Sequence, residues 1–262
     1  MKFFKAFIIF LLYVFIFLLI KKLLFFLLEK GILDSFPEIF FETIDISTYL
    51  FVFILFFLIF KPNLRLDKQK KLKIKDLLVI LLIIIAFRII EDPLQNIDSI
   101  INSKSLELIQ GDTFKLNNPF YTLFLLVFIT PLLEEFVFRK IILGVLGSQL
   151  FSIIFSSILF SIIHLLAGFD LVIFLKTFSF GMIMSVLFLR KGFIAAFSGH
   201  AFYNLIYFII NYYGYKEYTL FINHFNFNWF YWLIVLFSII SLITGLLYIK
   251  TGSLKIKLSK KN

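Results

Sequence analysis

The chain has 262 residues, of which 61% are hydrophobic, and its mean hydropathy is +1.01. Since about 45–50% apolar residues is usual in a soluble domain, this composition excludes a water-soluble globular protein and predicts a polytopic membrane protein. The chain has no Cys, which excludes disulfides and Cys-based zinc sites. Its net charge of +10 lies in Lys and Arg residues that flank apolar runs, which favours anionic lipid over nucleic acid as a partner.

Eight apolar runs are of the length that a helix needs to cross a bilayer. In chain order they cover residues 3–28, 44–60, 76–91, 119–139, 150–167, 169–189, 193–212 and 229–249. The first run lacks a small-residue cleavage site and is interpreted as an uncleaved helix. We expect a short interfacial helix in the polar segment 92–118. The predicted fold class is therefore all-α, with about eight transmembrane helices.

Loop charges orient these helices. Segment 61–75 carries seven Lys or Arg residues against one Asp, so the positive-inside rule places it in the cytoplasm. With eight spans, both termini are then cytoplasmic. The protein is expected in the cell membrane as a multi-pass protein.

The fourth predicted helix carries three ionisable residues within an apolar run, and a helix-centre charge costs roughly 2.5–3.5 kcal/mol on insertion scales. Such charges indicate a functional site. Glu135 and Arg139 are four residues apart on one face and can pair. Glu134 is rotated by about 100° and is predicted to be a general base. Pro131 predicts a kink beside them. An ion pair that only fixes packing explains Glu135 and Arg139 equally well, but it leaves Glu134 unexplained.

Two further predicted helices carry histidine. His164 follows Phe160 by four residues on the fifth helix, and His200 precedes Asn204 by four on the seventh. Imidazole can donate or accept a hydrogen bond or bind a metal, and a carboxamide can donate to a developing oxyanion. Hydrogen bonds that merely link helices are the structural alternative. His224 lies in a predicted outer loop and is assigned no role.

The ordered set EExxxR, FxxxH and HxxxN, each on a separate predicted helix, resembles the motifs of the CPBP family of intramembrane proteases. This family is also called the Abi or type II CAAX-endopeptidase family. The resemblance covers roughly residues 120–212 and implies an endopeptidase that hydrolyses peptide bonds of a membrane-associated protein or peptide. The substrate implied is either a CAAX-type protein or a leader peptide.

The resemblance assigns catalytic roles to four residues: Glu134, His164, His200 and Asn204. It implies that Glu134 activates water, that His164 holds or polarises this water, and that the other two stabilise the oxyanion. Glu135 and Arg139 are implied as supporting residues. The chain then divides into residues 1–118 with three transmembrane helices, a catalytic core of four helices at 119–212, and residues 213–262 with the last helix and a basic cytoplasmic tail.

A metal requirement stays open at this stage. Glu134, His164 and His200 form a donor set typical of catalytic zinc, but the same groups suffice for a metal-free glutamate protease, which is slightly preferred.

Two other functions also stay open. One is a non-catalytic immunity or scaffold protein on the same fold. The other is a proton-coupled transporter, although the chain lacks the internal repeats that many transporters have. The abundance of Phe, Ile, Lys and Asn fits AT-rich codons and predicts a bacterial source.

Two features predict helix packing. Arg88 lies one turn from Glu91 and Asp92, which predicts an ion pair whose cation reaches toward the membrane surface. Small residues recur at every fourth position of the sixth predicted helix, where they allow close helix approach: Thr177, Gly181 and Ser185.

Overall fold

The structure, a computed structural model, describes residues 1–29, 38–60, 72–102, 118–166 and 168–251. All regular secondary structure in these ranges is helical, which confirms the predicted all-α class. The helices are α1 (Lys2–Glu29), α2 (Glu38–Phe60), α3 (Ile74–Gln95), α4 (Ile97–Ile101), α5 (Pro119–Leu146), α6 (Leu150–His164), α7 (Leu171–Lys191), α8 (Phe193–Tyr213), α9 (Tyr215–Phe225) and α10 (Trp229–Thr251).

Each of the eight predicted spans coincides with a helix of 15 residues or more. By length and composition, five described segments can cross a membrane: Lys2–Ile20, Pro119–Leu146, Leu171–Lys191, Phe193–Tyr213 and Trp229–Thr251. Ile46–Phe60 and Leu150–His164 are shorter apolar helices. The chain is thus a helical membrane protein, while the count of eight spans and the orientation of the termini stay predictions. The basic segment 61–71 and the tail from residue 252 lie outside the described residues.

The described helices form two compact units. Unit 1 comprises Met1–Lys68 and Leu116–Ser185, and unit 2 comprises Gln69–Lys115 and Val186–Asn262. The division falls inside α7. Unit 1 therefore holds α1, α2, α5, α6 and most of α7, whereas unit 2 holds α3, α4, α8, α9 and α10. The division expected from sequence, into residues 1–118, 119–212 and 213–262, concerns function and not packing. It stays a prediction.

Aromatic rings fill the core of unit 1, which accounts for part of the 40 Phe residues. The Phe138 ring of α5 lies 6.3 Å from Phe10 and 5.8 Å from Tyr13, both on α1. Tyr13 also makes an edge-to-face contact with Phe56 of α2 at 5.8 Å. Such pairs stabilise by about 0.5–1.5 kcal/mol beyond their buried area. They join α1 and α2 to the helix that carries the charged motif.

The predicted small-residue stripe lies where α7 packs against α6. A Cβ atom on Gly181 would lie 3.1 Å from the Ser157 Cβ, so only glycine permits this approach without a shift. The hydroxyls of Thr177 and Ser185 donate within α7, to the carbonyls of Ile173 and Gly181. The stripe therefore serves helix packing, as predicted.

Two short helices lie between the long ones. α4 falls in segment 92–118, where an interfacial helix was expected, although residues 103–117 lie outside the described part of the chain. α9 was not predicted. Its signal was the three- and four-residue spacing of Tyr218, Thr219, Ile222 and Phe225, which form the inner face of the helix. Ile222 packs there in a cluster with Tyr231.

Unit 2 is built on the packing of α3 against α10. Ile80, Ile83 and Ile84 of α3 are fully buried. At the contact, Gly245 of α10 lies so close that an added Cβ would be 2.5 Å from the Ile83 Cγ1. Real Cβ atoms do not approach that closely, so the helices can meet here only because residue 245 has no side chain.

Replacing this glycine tests the contact. We expect Gly245→Ala to lower the unfolding temperature of the detergent-solubilised protein because the methyl group overpacks the α3–α10 contact. The matched control is Gly144→Ala in α5, where an added Cβ has nothing within 4 Å. Since the helix-propensity gain is common to both, the difference between the variants measures overpacking, about 1–3 kcal/mol. Equal unfolding temperatures would contradict the close approach.

Candidate active site

The helix that carries the glutamates changes its hydrogen-bonding pattern along its length. In α5, π-helical turns at Leu125–Ile129 and Phe136–Leu143 flank an α-helical stretch at Thr130–Glu135. Pro131 lies at the start of that stretch and has no N–H to donate. The irregularity expected beside Pro131 thus takes the form of a change in helix type. π-helical turns are rare and occur frequently at functional sites.

The second π-helical stretch is enclosed by its neighbours. Seven of its eight residues are buried, and only Lys140 is partly exposed. Ser156 of α6 donates a hydrogen bond from Oγ to the Phe138 carbonyl at 3.1 Å. In an apolar environment a serine hydroxyl can satisfy a carbonyl that an irregular helix frees. α6 therefore supports α5 at the point where its geometry departs from an α-helix.

Glu135 and Arg139 form the predicted ion pair. The Arg139 Nε lies 3.2 Å from the Glu135 Oε2, and both side chains have no solvent exposure. The guanidinium also lies over the Phe160 ring of α6, 4.9 Å from its centroid. Among the described residues, neither Nη atom of Arg139 has a hydrogen-bond partner. The ion pair, the ring contact and the nearby charge of Glu134 therefore compensate this buried cation for its lost water.

Glu134 has a different environment from its neighbour. Its side chain is partly exposed, whereas that of Glu135 is fully buried, as the rotation of about 100° between successive residues predicts. Glu134 also interacts electrostatically with the hydroxyl of Tyr13 on α1. Tyr13 is buried and was missed by sequence reasoning. Its only signal was a polar hydroxyl within an apolar run.

His164 ends α6 and is held by its own helix. Its Nδ1 lies 2.8 Å from the Phe160 carbonyl oxygen. Because a carbonyl only accepts, Nδ1 carries the hydrogen in this contact and Nε2 keeps a lone pair. The imidazole also packs on the Phe160 ring, with 4.6 Å between centroids. Phe160 thus contacts both Arg139 and His164, and it joins two of the three predicted motifs in unit 1.

The third motif lies in unit 2. His200 and Asn204 are four residues apart on α8, where His200 is buried and Asn204 is partly exposed. Two small residues, Ala196 and Gly199, are buried on the same helix. Tyr203, immediately before Asn204, donates a hydrogen bond to Glu91 of α3. This tyrosine was not singled out from sequence. His224 lies exposed on helix α9, so its predicted placement in a loop is wrong.

The zinc alternative requires a cluster of donor side chains. In the part of the chain that the structure describes, no group of three or more His, Asp and Glu side chains is arranged to hold a metal ion.

These features define an integral membrane protein with ionisable residues built into its helices. Residues 116–206 match the family model described as Type II CAAX prenyl endopeptidase Rce1-like, which represents a family of proteases. This match confirms the predicted resemblance to the CPBP family of membrane proteases. All six residues singled out from the motifs lie within the matched segment. Comparison with curated proteins and with solved structures found no match.

The buried ion pair leads to a stability prediction. We expect Glu135→Gln to destabilise the protein by about 3–5 kcal/mol, since it removes the carboxylate that contacts the buried Arg139 charge. The double variant Glu135→Leu with Arg139→Met removes both charges and should lose clearly less. Thermal unfolding in detergent, monitored by tryptophan fluorescence, compares the two. A double variant less stable than the single one would contradict this account of the pair.

Proposed function

We propose that this protein is an intramembrane endopeptidase in which Glu134 activates water for attack on a peptide bond. The observation that carries the proposal is that Glu134, Glu135 and His164 have different environments in unit 1. Arg139 neutralises Glu135, Glu134 stays partly exposed, and His164 offers a lone pair at Nε2. These groups stand within the segment that matches a protease family.

Glu134 is the better candidate for general base than Glu135. A base must receive a proton from water, and the Glu135 carboxylate is both enclosed and paired with Arg139. Glu134, by contrast, is partly exposed. A positioned carboxylate of this kind contributes about 10²–10⁴-fold to the rate.

His164 is proposed to hold the attacking water. Its bond to the Phe160 carbonyl fixes the tautomer and orientation of the ring. Nε2 can then accept a hydrogen bond from water while Glu134 takes the other proton. The Phe160 ring supports this imidazole through direct packing.

The proposed reaction proceeds in two stages. Glu134 takes a proton from water as the water oxygen bonds to the scissile carbonyl carbon, and the carbonyl oxygen becomes an oxyanion. His200 and Asn204 are assigned to stabilise that oxyanion by hydrogen bonding. The intermediate then collapses as the carbon–nitrogen bond breaks, and Glu134 returns its proton to the leaving amine. No acyl-enzyme forms.

The proposed substrate is a membrane-associated peptide or protein. The name of the matched family points to prenylated proteins with a C-terminal CAAX sequence. A bacterial source, which the amino-acid composition predicts, favours leader peptides.

We also propose that eight helices span the cell membrane with both termini in the cytoplasm. The eight long helices at the predicted positions support this topology.

The first experiment compares Glu134→Gln with wild type at equal expression. We expect mass spectrometry of host membranes and medium to find peptides that appear only with wild type, because the amide cannot accept the proton of water. The matched control is Glu217→Gln, at an exposed position of α9. This variant should yield the wild-type peptides. Identical peptide sets for wild type and a folded Glu134→Gln would refute the protease and favour a scaffold. Loss of solute uptake without any change in peptides would indicate a transporter.

Oxyanion stabilisation makes a second prediction. We expect Asn204→Ala to lower kcat by about 10²–10³-fold with little change in KM, since its amide would act only in the transition state. The matched control on the same helix is Asn211→Ala, whose amide donates to the Tyr207 carbonyl at 2.8 Å. The assay is cleavage of a quenched fluorescent peptide with a prenylated CAAX end, alongside a wild-type-specific peptide from the first experiment. Equal kcat values for the two variants would remove Asn204 from the mechanism.

A further inference from the structure

A cluster of polar side chains joins α3 to α8 inside unit 2. We call it the Glu91 cluster and define it as Arg88, Glu91 and Tyr203. Arg88 and Glu91 form the ion pair expected from their spacing. The expectation that the cation reaches toward the membrane surface is wrong, because the two side chains are only 13% and 2% exposed. The pair is buried because α8 covers it.

Tyr203 closes this cluster from α8. Its hydroxyl lies 3.0 Å from both carboxylate oxygens of Glu91. The Arg88 guanidinium lies over the Tyr203 ring at 5.2 Å and over the Tyr207 ring, one turn further, at 5.9 Å. Phe87 adds a ring contact with Tyr203 at 6.1 Å. One tyrosine thus meets a carboxylate, a cation and an aromatic ring of α3.

The next residue of α3 makes a comparable tie to different helices. Asp92 accepts hydrogen bonds from Tyr218 of α9 and from Tyr231 of α10, the latter at 2.6 Å. Glu91 and Asp92 are therefore adjacent carboxylates, each bound by tyrosine, but only Glu91 is bound by α8. Loss of a tyrosine hydroxyl at Asp92 therefore tests a general role in stability, whereas loss of one at Glu91 tests a role specific to α8.

Tyr203 occupies a sensitive position on α8. It lies three residues after His200 and directly before Asn204, so its side chain is about 60° and 100° around the axis from theirs. Between residues 195 and 201 the buried residues of α8 are Ala195, Ala196, Gly199, His200 and Ala201, and all of them except His200 are small. The polar and aromatic contacts of Tyr203 therefore tie α8 to α3 at this level.

We propose that Glu91, held by Arg88, is a positioning residue that fixes the rotation of α8 through Tyr203 and so aims His200 and Asn204. This inference rests on the proposed endopeptidase function. A displacement of about 1 Å at a catalytic group can cost 10²-fold in rate. A hydroxyl bound to both oxygens of a buried carboxylate limits such movement.

The test compares Tyr203→Phe with Tyr231→Phe. Each variant keeps its ring and loses one hydroxyl bound to a carboxylate, and each carboxylate keeps another partner, Arg88 or Tyr218. Cleavage of the quenched prenylated CAAX peptide and of the wild-type-specific peptides is measured for kcat and KM, together with thermal unfolding in detergent. We expect Tyr203→Phe to lower kcat about tenfold or more with KM unchanged. Tyr231→Phe should lose similar stability and stay within about twofold of wild-type kcat.

A second variant guards against misfolding. Glu91→Gln keeps an acceptor for Tyr203 but loses the charge that holds Arg88, and we expect a kcat between those of wild type and Tyr203→Phe. Equal kcat values for Tyr203→Phe and Tyr231→Phe would show a structural tie and overturn the inference. Glu134→Gln, run in parallel, separates the two proposals. If it abolishes cleavage while Tyr203→Phe does not affect kcat, only the positioning role fails. If it leaves cleavage intact, the proposed function fails and this inference falls with it.

Discussion

The ion pair between Glu135 and Arg139 is the interaction on which the arrangement of unit 1 depends. Both side chains are fully buried, and removing two charges from water costs several kcal/mol per ion unless they are paired closely. α6 must therefore bring Phe160 under the guanidinium, and the same ring then supports His164. Glu135 is enclosed in this pair, whereas Glu134 on the same helix is partly exposed.

Unit 2 solves the same problem partly with neutral donors, because Glu91 pairs with Arg88 and also binds a tyrosine hydroxyl. Glu91 and Asp92 are buried on α3, and tyrosines from three other helices donate to them. Burial, and then the charge of Asp92, raise the pKa of the Tyr218 hydroxyl above its ordinary value, so this group stays a protonated donor. A tyrosine can satisfy a carboxylate in this way without placing a second charge in an apolar environment.

The segment that matches the protease family depends on helices that lie outside residues 116–206. In unit 1, α1 covers α5 with Phe10 and Tyr13, and Tyr13 interacts with Glu134. In unit 2, α3 holds α8 through Tyr203. Residues of the three motifs are thus contacted by residues that lie outside those motifs.

The sequence by itself determined the all-α class, the positions of the long helices and the pairing of Glu135 with Arg139. Hydropathy and the 3.6-residue period are local properties, so they are legible without knowing which helices touch. Only the tertiary structure decided that Phe160 lies under Arg139, that Ser156 satisfies a π-helical carbonyl, and that Tyr203 binds Glu91. The partners in that last contact are 112 residues apart. Such contacts depend on which faces of distant helices meet, and no local pattern records that choice.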